Sequence, residues 1–171
     1  TQRHTITIVM VDNNITLNAS NVGNISTGDS YIPAVTAGVY TVIGNMTITH
    51  NMIYSNDVGI YAESADNLVL NLNRIGVVGS KVVSFVDCVG SVVDGNAFLG
   101  VIPSSGYQKG ALNFDYGTSD LVFTNNFVYV LATDQGKYDT TCGVVFAGNN
   151  VTFEKNNVSC SNCTYSYGVD L

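Results

Sequence analysis

The chain has 171 residues, of which 46% are hydrophobic and only 11% are charged, and its formal net charge at pH 7 is −7. A disordered chain would be richer in charge and poorer in apolar residues, so this composition indicates one folded domain with a sizeable core. The acidic balance and the lack of a basic patch argue against a nucleic-acid partner. No apolar run approaches the roughly 18 residues that a membrane-spanning helix needs, so we expect no membrane insertion.

One phrase recurs along the chain: an apolar residue, an Asn three positions later, and a second apolar residue two positions after the Asn. The Asn residues of the five copies are Asn51, Asn73, Asn96, Asn126 and Asn156. Short alternating segments, typical of strands, lie at 59–63, 83–87, 111–115 and 143–147, about ten residues before the next Asn. Asn18 is a candidate for an earlier copy, because Ile15 lies three residues before it.

The repeat predicts an all-β, parallel β-solenoid. Each unit reads as strand, turn, strand, Asn turn and strand, and such units must stack to bury a core. An Asn at a tight corner tolerates the left-handed backbone conformation, and stacked Asn amides can bond to one another as a ladder. We expect a single domain over 1–171 with about six rungs, in which 1–38 form an irregular first rung and 39–171 form regular rungs.

The stretch GIYAESADNLVLNLNRI, residues 59–75, resembles the repeats of the right-handed parallel β-helix superfamily. That superfamily includes pectate lyases, polygalacturonases, phage tailspikes and many archaeal and bacterial surface proteins. The resemblance implies a right-handed parallel β-helix, and in character it is nearest to the extracellular surface proteins. It does not fix an activity, because this fold is shared by enzymes and by inert scaffolds.

Three carboxylates are the candidate chemistry of this chain. Aligning the strands before each Asn places Glu63, Asp87 and Asp115 on the outer face of three successive rungs, about 4.8 Å apart. Such a column could supply a general acid and a base for glycoside hydrolysis, or it could bind Ca²⁺, or it could be an ordinary solvated strand edge. The same alignment places Tyr61 and Phe85 outward beside the column, where they could stack on a glycan.

Two features favour an extracellular location. The chain has seven N-glycosylation sequons, at Asn14, Asn18, Asn24, Asn45, Asn150, Asn157 and Asn162. It also has four Cys residues, and Cys142, Cys160 and Cys163 fall in neighbouring corners, so Cys142 could form a disulfide with either of the other two. Cys88 follows a strand and is expected to be a buried thiol.

The sequence shows no helical cap before the first strand or after the last one, and uncovered solenoid edges favour pairing with another chain. Either the chain is a piece of a longer protein, or the open edge of one copy docks on the next. On the second interpretation, we expect an extracellular structural protein that assembles with itself, end to end, into a surface filament, sheath or adhesive layer. The alternative is a polysaccharide-degrading hydrolase or lyase that uses Glu63, Asp87 and Asp115. Glycans are possible partners, and no cofactor is expected other than a possible calcium ion.

Overall fold

The computed structural model describes residues 8–17, 37–41, 44–79, 81–102, 110–133, 140–162 and 165–170. These residues form eighteen β-strands, in keeping with the many Val, Ile, Thr and aromatic residues of the chain. The described part of the chain holds no helix long and apolar enough to cross a membrane.

The strands follow one another in six coils of three. In chain order they are Ile8–Val11 (β1), Asn14–Leu17 (β2), Ala37–Thr41 (β3), Met46–Thr49 (β4), Met52–Ser55 (β5), Val58–Glu63 (β6), Val69–Asn71 (β7), Arg74–Val78 (β8), Lys81–Val86 (β9), Val92–Asp94 (β10), Ala97–Ile102 (β11), Leu112–Phe114 (β12), Ser119–Thr124 (β13), Phe127–Ala132 (β14), Thr140–Phe146 (β15), Asn149–Glu154 (β16), Asn157–Ser161 (β17) and Tyr165–Asp170 (β18).

Each coil gives one strand to each of three six-stranded sheets. Sheet A has the order β1-β4-β7-β10-β13-β16, sheet B the order β2-β5-β8-β11-β14-β17, and sheet C the order β3-β6-β9-β12-β15-β18. Neighbouring strands in all three sheets are parallel. The all-β prediction is confirmed, and the arrangement is consistent with a β-solenoid of six coils.

One hydrophobic cluster joins residues of all three sheets, which is why no single coil could be stable alone. In sheet A, Ile48, Leu70, Val93 and Phe123 follow one another from coil to coil in direct register and are fully buried. The Phe123 ring also packs edge-on against Phe114 of sheet C, with ring centroids 5.7 Å apart. The apolar residue three positions before each Asn is therefore a core residue.

The register of β9 corrects the alignment made from the sequence. Phe85 pairs with Ala62 on one side and with Phe114 on the other, and it is fully buried rather than outward. The alignment from the sequence matches the acidic residues that end each segment, Glu63, Asp87 and Asp115. The large apolar side chain decides the register instead, because a one-residue slip would turn it out of the core.

The first coil pairs as regularly as the later ones where it is described. Strand β1 pairs with β4, β2 with β5 and β3 with β6, all in parallel. Residues 1–7 and 18–36 of the segment expected to be an irregular first rung lie outside the described residues.

Candidate functional site: the asparagine ladder and the terminal coils

The predicted Asn residues are joined by hydrogen bonds along the corner between sheets A and B. From the second coil onward, the Oδ1 atom of each Asn accepts two hydrogen bonds from the Asn one coil earlier: one from its backbone N–H, at 2.8–2.9 Å, and one from its Nδ2 amide, at 3.0–3.1 Å. The series runs Asn13, Asn51, Asn73, Asn96, Asn126 and Asn156. We call these six residues the ladder.

The first ladder residue was missed by the sequence alignment. Asn13 opens the ladder, whereas the alignment proposed Asn18, which lies outside the described residues. The signal was present, because Met10 is an apolar residue three positions before Asn13 and Ile15 is one two positions after it.

A third hydrogen bond explains the spacing between the apolar residue and the Asn. The Nδ2 amide of each ladder residue after Asn13 also donates, at 2.8–2.9 Å, to the carbonyl of the residue three positions before the preceding ladder Asn. The acceptors are the carbonyls of Met10, Ile48, Leu70, Val93 and Phe123. The residue three positions before each ladder Asn thus has two roles. Its apolar side chain packs in the core, and its backbone carbonyl accepts a hydrogen bond from the ladder Asn of the next coil.

The left-handed turn at this corner belongs to the residue before each Asn, not to the Asn as expected. The residues with positive φ, between 54° and 64°, are Asp12, His50, Leu72, Gly95, Asn125 and Lys155. Leu72 and Lys155 adopt this conformation although they have a Cβ atom, which disfavours it. The Asn itself is needed at the next position, where its amide meets the neighbouring coil.

The three candidate carboxylates do not form a column. Glu63 pairs with Val86, and Asp115 follows Phe114, the partner of Phe85, so the intervening coil presents Val86 between the two acids. Glu63 and Asp115 are therefore two coils apart, or about 10 Å. Asp87 lies one residue further along, in a turn where its φ is 51°.

Asp115 has a structural task at this turn. Its Oδ1 atom accepts hydrogen bonds from the backbone N–H of Asp87 at 3.0 Å, the backbone N–H of Gly117 at 3.2 Å and the hydroxyl of Thr118 at 3.1 Å. Asp66 lies in the same turn two coils before Asp115 and bonds to the following coil, since its Oδ1 accepts from the backbone N–H of Val89 at 2.9 Å. These carboxylates fasten the turn from sheet C to sheet A across coils.

The three acidic residues do not come together as one cluster that could bind a metal ion or act jointly in catalysis. No three His, Cys, Asp or Glu side chains of the described residues are close enough together to hold a metal ion. Lys81, at the start of β9, is partly buried, and this burial lowers its pKa while the charge of Asp115 opposes the shift. The roles of Glu63, Asp87 and Asp115 as catalytic or calcium-binding residues stay predictions.

The sequons that the structure describes lie on the surface. Asn45, Asn150, Asn157 and Asn162 are exposed, whereas Asn18 and Asn24 lie outside the described residues, as does the side chain of Asn14. Two of the acceptor amides already donate hydrogen bonds: Asn150 to the Asp120 carboxylate and Asn162 to the carbonyl of Ala132. Glycosylation of these residues stays a prediction.

Cys88 is fully buried as a free thiol, and its Sγ donates to the carbonyl of Val86 at 3.3 Å. Burial raises the pKa of this thiol, so it is kept protonated. Cys160 is half-buried in β17, opposite Val130. Cys163 and the side chain of Cys142 lie outside what the structure describes, so a disulfide between these corners stays a prediction.

Among the described residues, the sixth coil pairs with one other coil, and its inward side chains are less buried than those of interior coils. Val151, Phe153, Val158 and Cys160 are only partly buried against the core. Phe153 stacks on Phe123 with centroids 5.5 Å apart. The described residues offer no acceptor to the backbone N–H of Asn156, and no donor to the Oδ1 of Asn13 at the opposite end. As far as the structure describes them, the first and sixth coils thus carry incomplete copies of the contacts that join the interior coils.

Comparisons of this chain with protein-family models, with curated proteins and with solved structures found no match. The resemblance to the right-handed β-helix superfamily therefore stays a prediction from the repeats themselves.

Proposed function

We propose that this chain is an extracellular structural protein, built as a closed right-handed parallel β-helix, that assembles end to end into a surface filament, sheath or adhesive layer. Closure is supported by the single core that joins residues of all three sheets. Right-handedness is supported by the strong general preference for right-handed connections between parallel strands. The extracellular location is supported by the sequons and the Cys residues near sheet corners.

The observation that carries the proposal is the half-exposed inner surface of the sixth coil. Side chains that point into a solenoid core should be fully buried, and Leu121, Phe123, Val128 and Val130 of the fifth coil are 0% exposed. Their counterparts one coil later are not, although they are of the same apolar type. Apolar surface at an unpaired sheet edge favours association with another edge.

Association between filaments, as a sheath or layer requires, is supported by the outer face of sheet B. Six of its outward side chains are large, apolar and at least 37% exposed: Met52, Tyr54, Val78, Leu99, Phe127 and Tyr129. Arg74 is the one charged side chain among the outward residues described on this sheet. Large exposed apolar patches mark contact surfaces, and a face nearly free of charge allows chains of net charge −7 to approach.

The enzyme alternative has less support. It needs Glu63, Asp87 and Asp115 to act together, whereas Val86 separates two of them and the Asp115 carboxylate is held in a turn. We therefore do not propose an activity for these residues.

The proposal is tested by electron microscopy of the purified protein at neutral pH, with and without reductant. We expect filaments with an axial repeat of about 29 Å, because six coils at about 4.8 Å each make one subunit. Val158→Lys places a charge on the half-exposed inner surface of the sixth coil and should abolish the filaments. Thr152→Lys, an exposed outward residue of the same coil, is the matched control and should leave them intact.

Circular dichroism should show the same strand content for both variants, so that a loss of filaments is not a loss of fold. Discrete, compact wild-type particles over a wide concentration range would overturn the proposal. So would filaments that form equally well with Val158→Lys.

A further inference from the structure

Resting on the proposed function, we propose that the end-to-end partner is a second copy of this chain, joined head to tail in one register by continuation of the ladder. The junction between the two copies then forms a sixth ladder step, after the five steps within one chain. The sixth coil of one copy faces the first coil of the next, and Asn156 of the first copy donates to Asn13 of the second.

The ladder has a direction, and this direction excludes symmetric junctions. In all five steps the Asn of the earlier coil donates and the Oδ1 of the later coil accepts. At the sixth coil the side-chain oxygen of Asn156 is used by Asn126, while the backbone N–H of Asn156 still has no acceptor among the described residues. At the first coil, Asn13 donates hydrogen bonds to the Oδ1 of Asn51 and to the carbonyl of Val11, while no described residue donates to its own Oδ1. Within the described part of the chain, one end of the ladder therefore offers a donor without an acceptor, and the other offers an acceptor without a donor.

The core residues at the two ends match in the same way. Following the sheet A register from coil to coil leads from Met10 through four interior positions to Phe153, so these two residues share one column. The sheet C register likewise places Val39 and Val169 in one column. A head-to-tail junction thus brings Phe153 opposite Met10, a favourable pairing of an aromatic ring with a thioether, and Val169 opposite Val39.

A head-to-head junction would meet neither condition. Two first coils would bring together two ladder acceptors, and two sixth coils would bring together two sets of donors. Strands would also run antiparallel across such a junction, so the columns that match in parallel would fall out of register. The preference for a head-to-tail junction follows from both the polar and the apolar groups.

The register can be tested with cysteine pairs on the outer face of sheet A. Val11 and Glu154 are both exposed and occupy the same column at the two ends. In the proposed junction their Cα atoms lie about 5 Å apart, within the range that a disulfide spans. We expect that Val11→Cys protein mixed with Glu154→Cys protein forms a cross-linked dimer under mild oxidation with copper phenanthroline. We call this product the junction cross-link.

Matched controls separate register and polarity from chance contact. Val11→Cys mixed with Thr152→Cys is off register by two residues, beyond disulfide reach, and should cross-link at the level of wild type, whose native Cys residues set the background. Each single variant alone should also stay at background, because a head-to-tail junction never brings two copies of one position together. Mass spectrometry of the linked peptides identifies the pair that has formed.

The ladder is tested by Asn156→Asp, which keeps the acceptor for Asn126 but removes amide donation and places a carboxylate against the Asn13 oxygen. We expect this change, added to the Glu154→Cys protein, to lower the yield of the junction cross-link about tenfold. Asn157→Asp, an exposed outward neighbour that adds the same charge, should leave the yield within about twofold of the parent.

Electron microscopy of the same samples separates this inference from the proposed function. Filaments without the junction cross-link, or filaments whose linked peptides are off register or head to head, would overturn the inference and leave the proposed function standing. An Asn156→Asp yield equal to that of Asn157→Asp would also overturn the role of the ladder. Discrete particles with no cross-link would overturn both.

Discussion

The fifth and sixth coils carry the same kinds of residue in the same register, yet only the fifth has a buried core. Phe123 and Val128 are fully buried, whereas Phe153 and Val158, which pair with them, are half-buried. The two coils differ in their neighbours, since the fifth lies between two coils and the sixth is described with one. Burial in this fold is therefore a property of the stack and not of a single coil.

The ladder shows the same contrast. Asn126 is 2% exposed and forms hydrogen bonds to both adjacent coils, whereas Asn156 is partly exposed and bonded to one. Removing the partner of a buried polar group destabilises the fold more than removing the partner of a group that water can reach. The same substitution should therefore change the free energy of unfolding by different amounts in interior and terminal coils.

The largest difference is expected between Phe123→Ala and Phe153→Ala. Truncating a fully buried Phe costs about 3–5 kcal/mol of the free energy of unfolding, and Phe123 contacts rings on both sides, Phe98 and Phe153. Phe153→Ala should cost less than about half as much, because its ring is already half-exposed. Urea unfolding of dilute protein, below the onset of assembly, measures both values.

Equal losses for the two Phe variants would mean that the sixth coil is covered in solution and would contradict the comparison. Repeating the measurement under assembling conditions sharpens it, because the cost of Phe153→Ala should then approach that of Phe123→Ala.

A smaller difference is expected between Asn96→Ala and Asn13→Ala. Asn96→Ala leaves the buried backbone N–H of Asn73 without its acceptor and removes the amide that donates to the carbonyl of Leu70, which costs about 2–4 kcal/mol. Asn13 is exposed and its removal leaves its own backbone N–H bonded to Asn51, so Asn13→Ala should cost under about 1 kcal/mol. The same urea titration measures both, and a cost for Asn13→Ala as large as that for Asn96→Ala would contradict this ranking.

At the residue with positive φ before the ladder Asn, a substitution in the sixth coil should stabilise the fold rather than destabilise it. Lys155 has a φ of 55° in the sixth coil, where Asn125 has 54° in the fifth. Lys155→Gly should stabilise the fold by about 0.5–1 kcal/mol, because Gly adopts this conformation without the Cβ penalty. Asn125→Gly should not stabilise, because it removes the hydrogen bond from Asn125 to Asp94. A thermal melt of each variant measures the change, and a lower melting temperature for Lys155→Gly would contradict the argument.

The smallest effect is expected at Asp94, a half-exposed carboxylate of the fourth coil that accepts hydrogen bonds from the fifth coil. Hydrogen bonds from Asn125 and Thr124 hold the pKa of Asp94 below its usual 3.8. A lowered pKa contributes stability that is present above the unfolded pKa, about 4, and is lost as the pH falls through the lowered value. Asp94→Asn should flatten the decline of stability as the pH falls below about 4.

Thr124→Val is the matched test for Asp94, since it keeps the carboxylate and removes one donor. It should weaken the same acid dependence without abolishing it. An acid-denaturation profile of Asp94→Asn identical to that of wild type would show that this carboxylate does not contribute.

Much of the fold and part of the candidate site could be predicted from the sequence. The spacing of apolar residues around Asn51, Asn73, Asn96, Asn126 and Asn156 identified the corner and the core positions. The prediction of a carboxylate column was wrong. It aligned Asp87 with Glu63 and Asp115 by charge, whereas burial of Phe85 decides the register. Asn13 was missed because no alternating segment at a fixed distance marks the first coil.

The sequence by itself determined the unit: three short strands, an apolar side chain directed inward, and an Asn at a fixed distance after it. These are local choices, since strand alternation and corner spacing act within about ten residues. Only the tertiary structure decided which Asn donates to which, that the residue before it takes the left-handed turn, and that Val86 separates Glu63 from Asp115. Those features depend on the register between coils, which is set by burial of whole columns of side chains rather than by any one repeat.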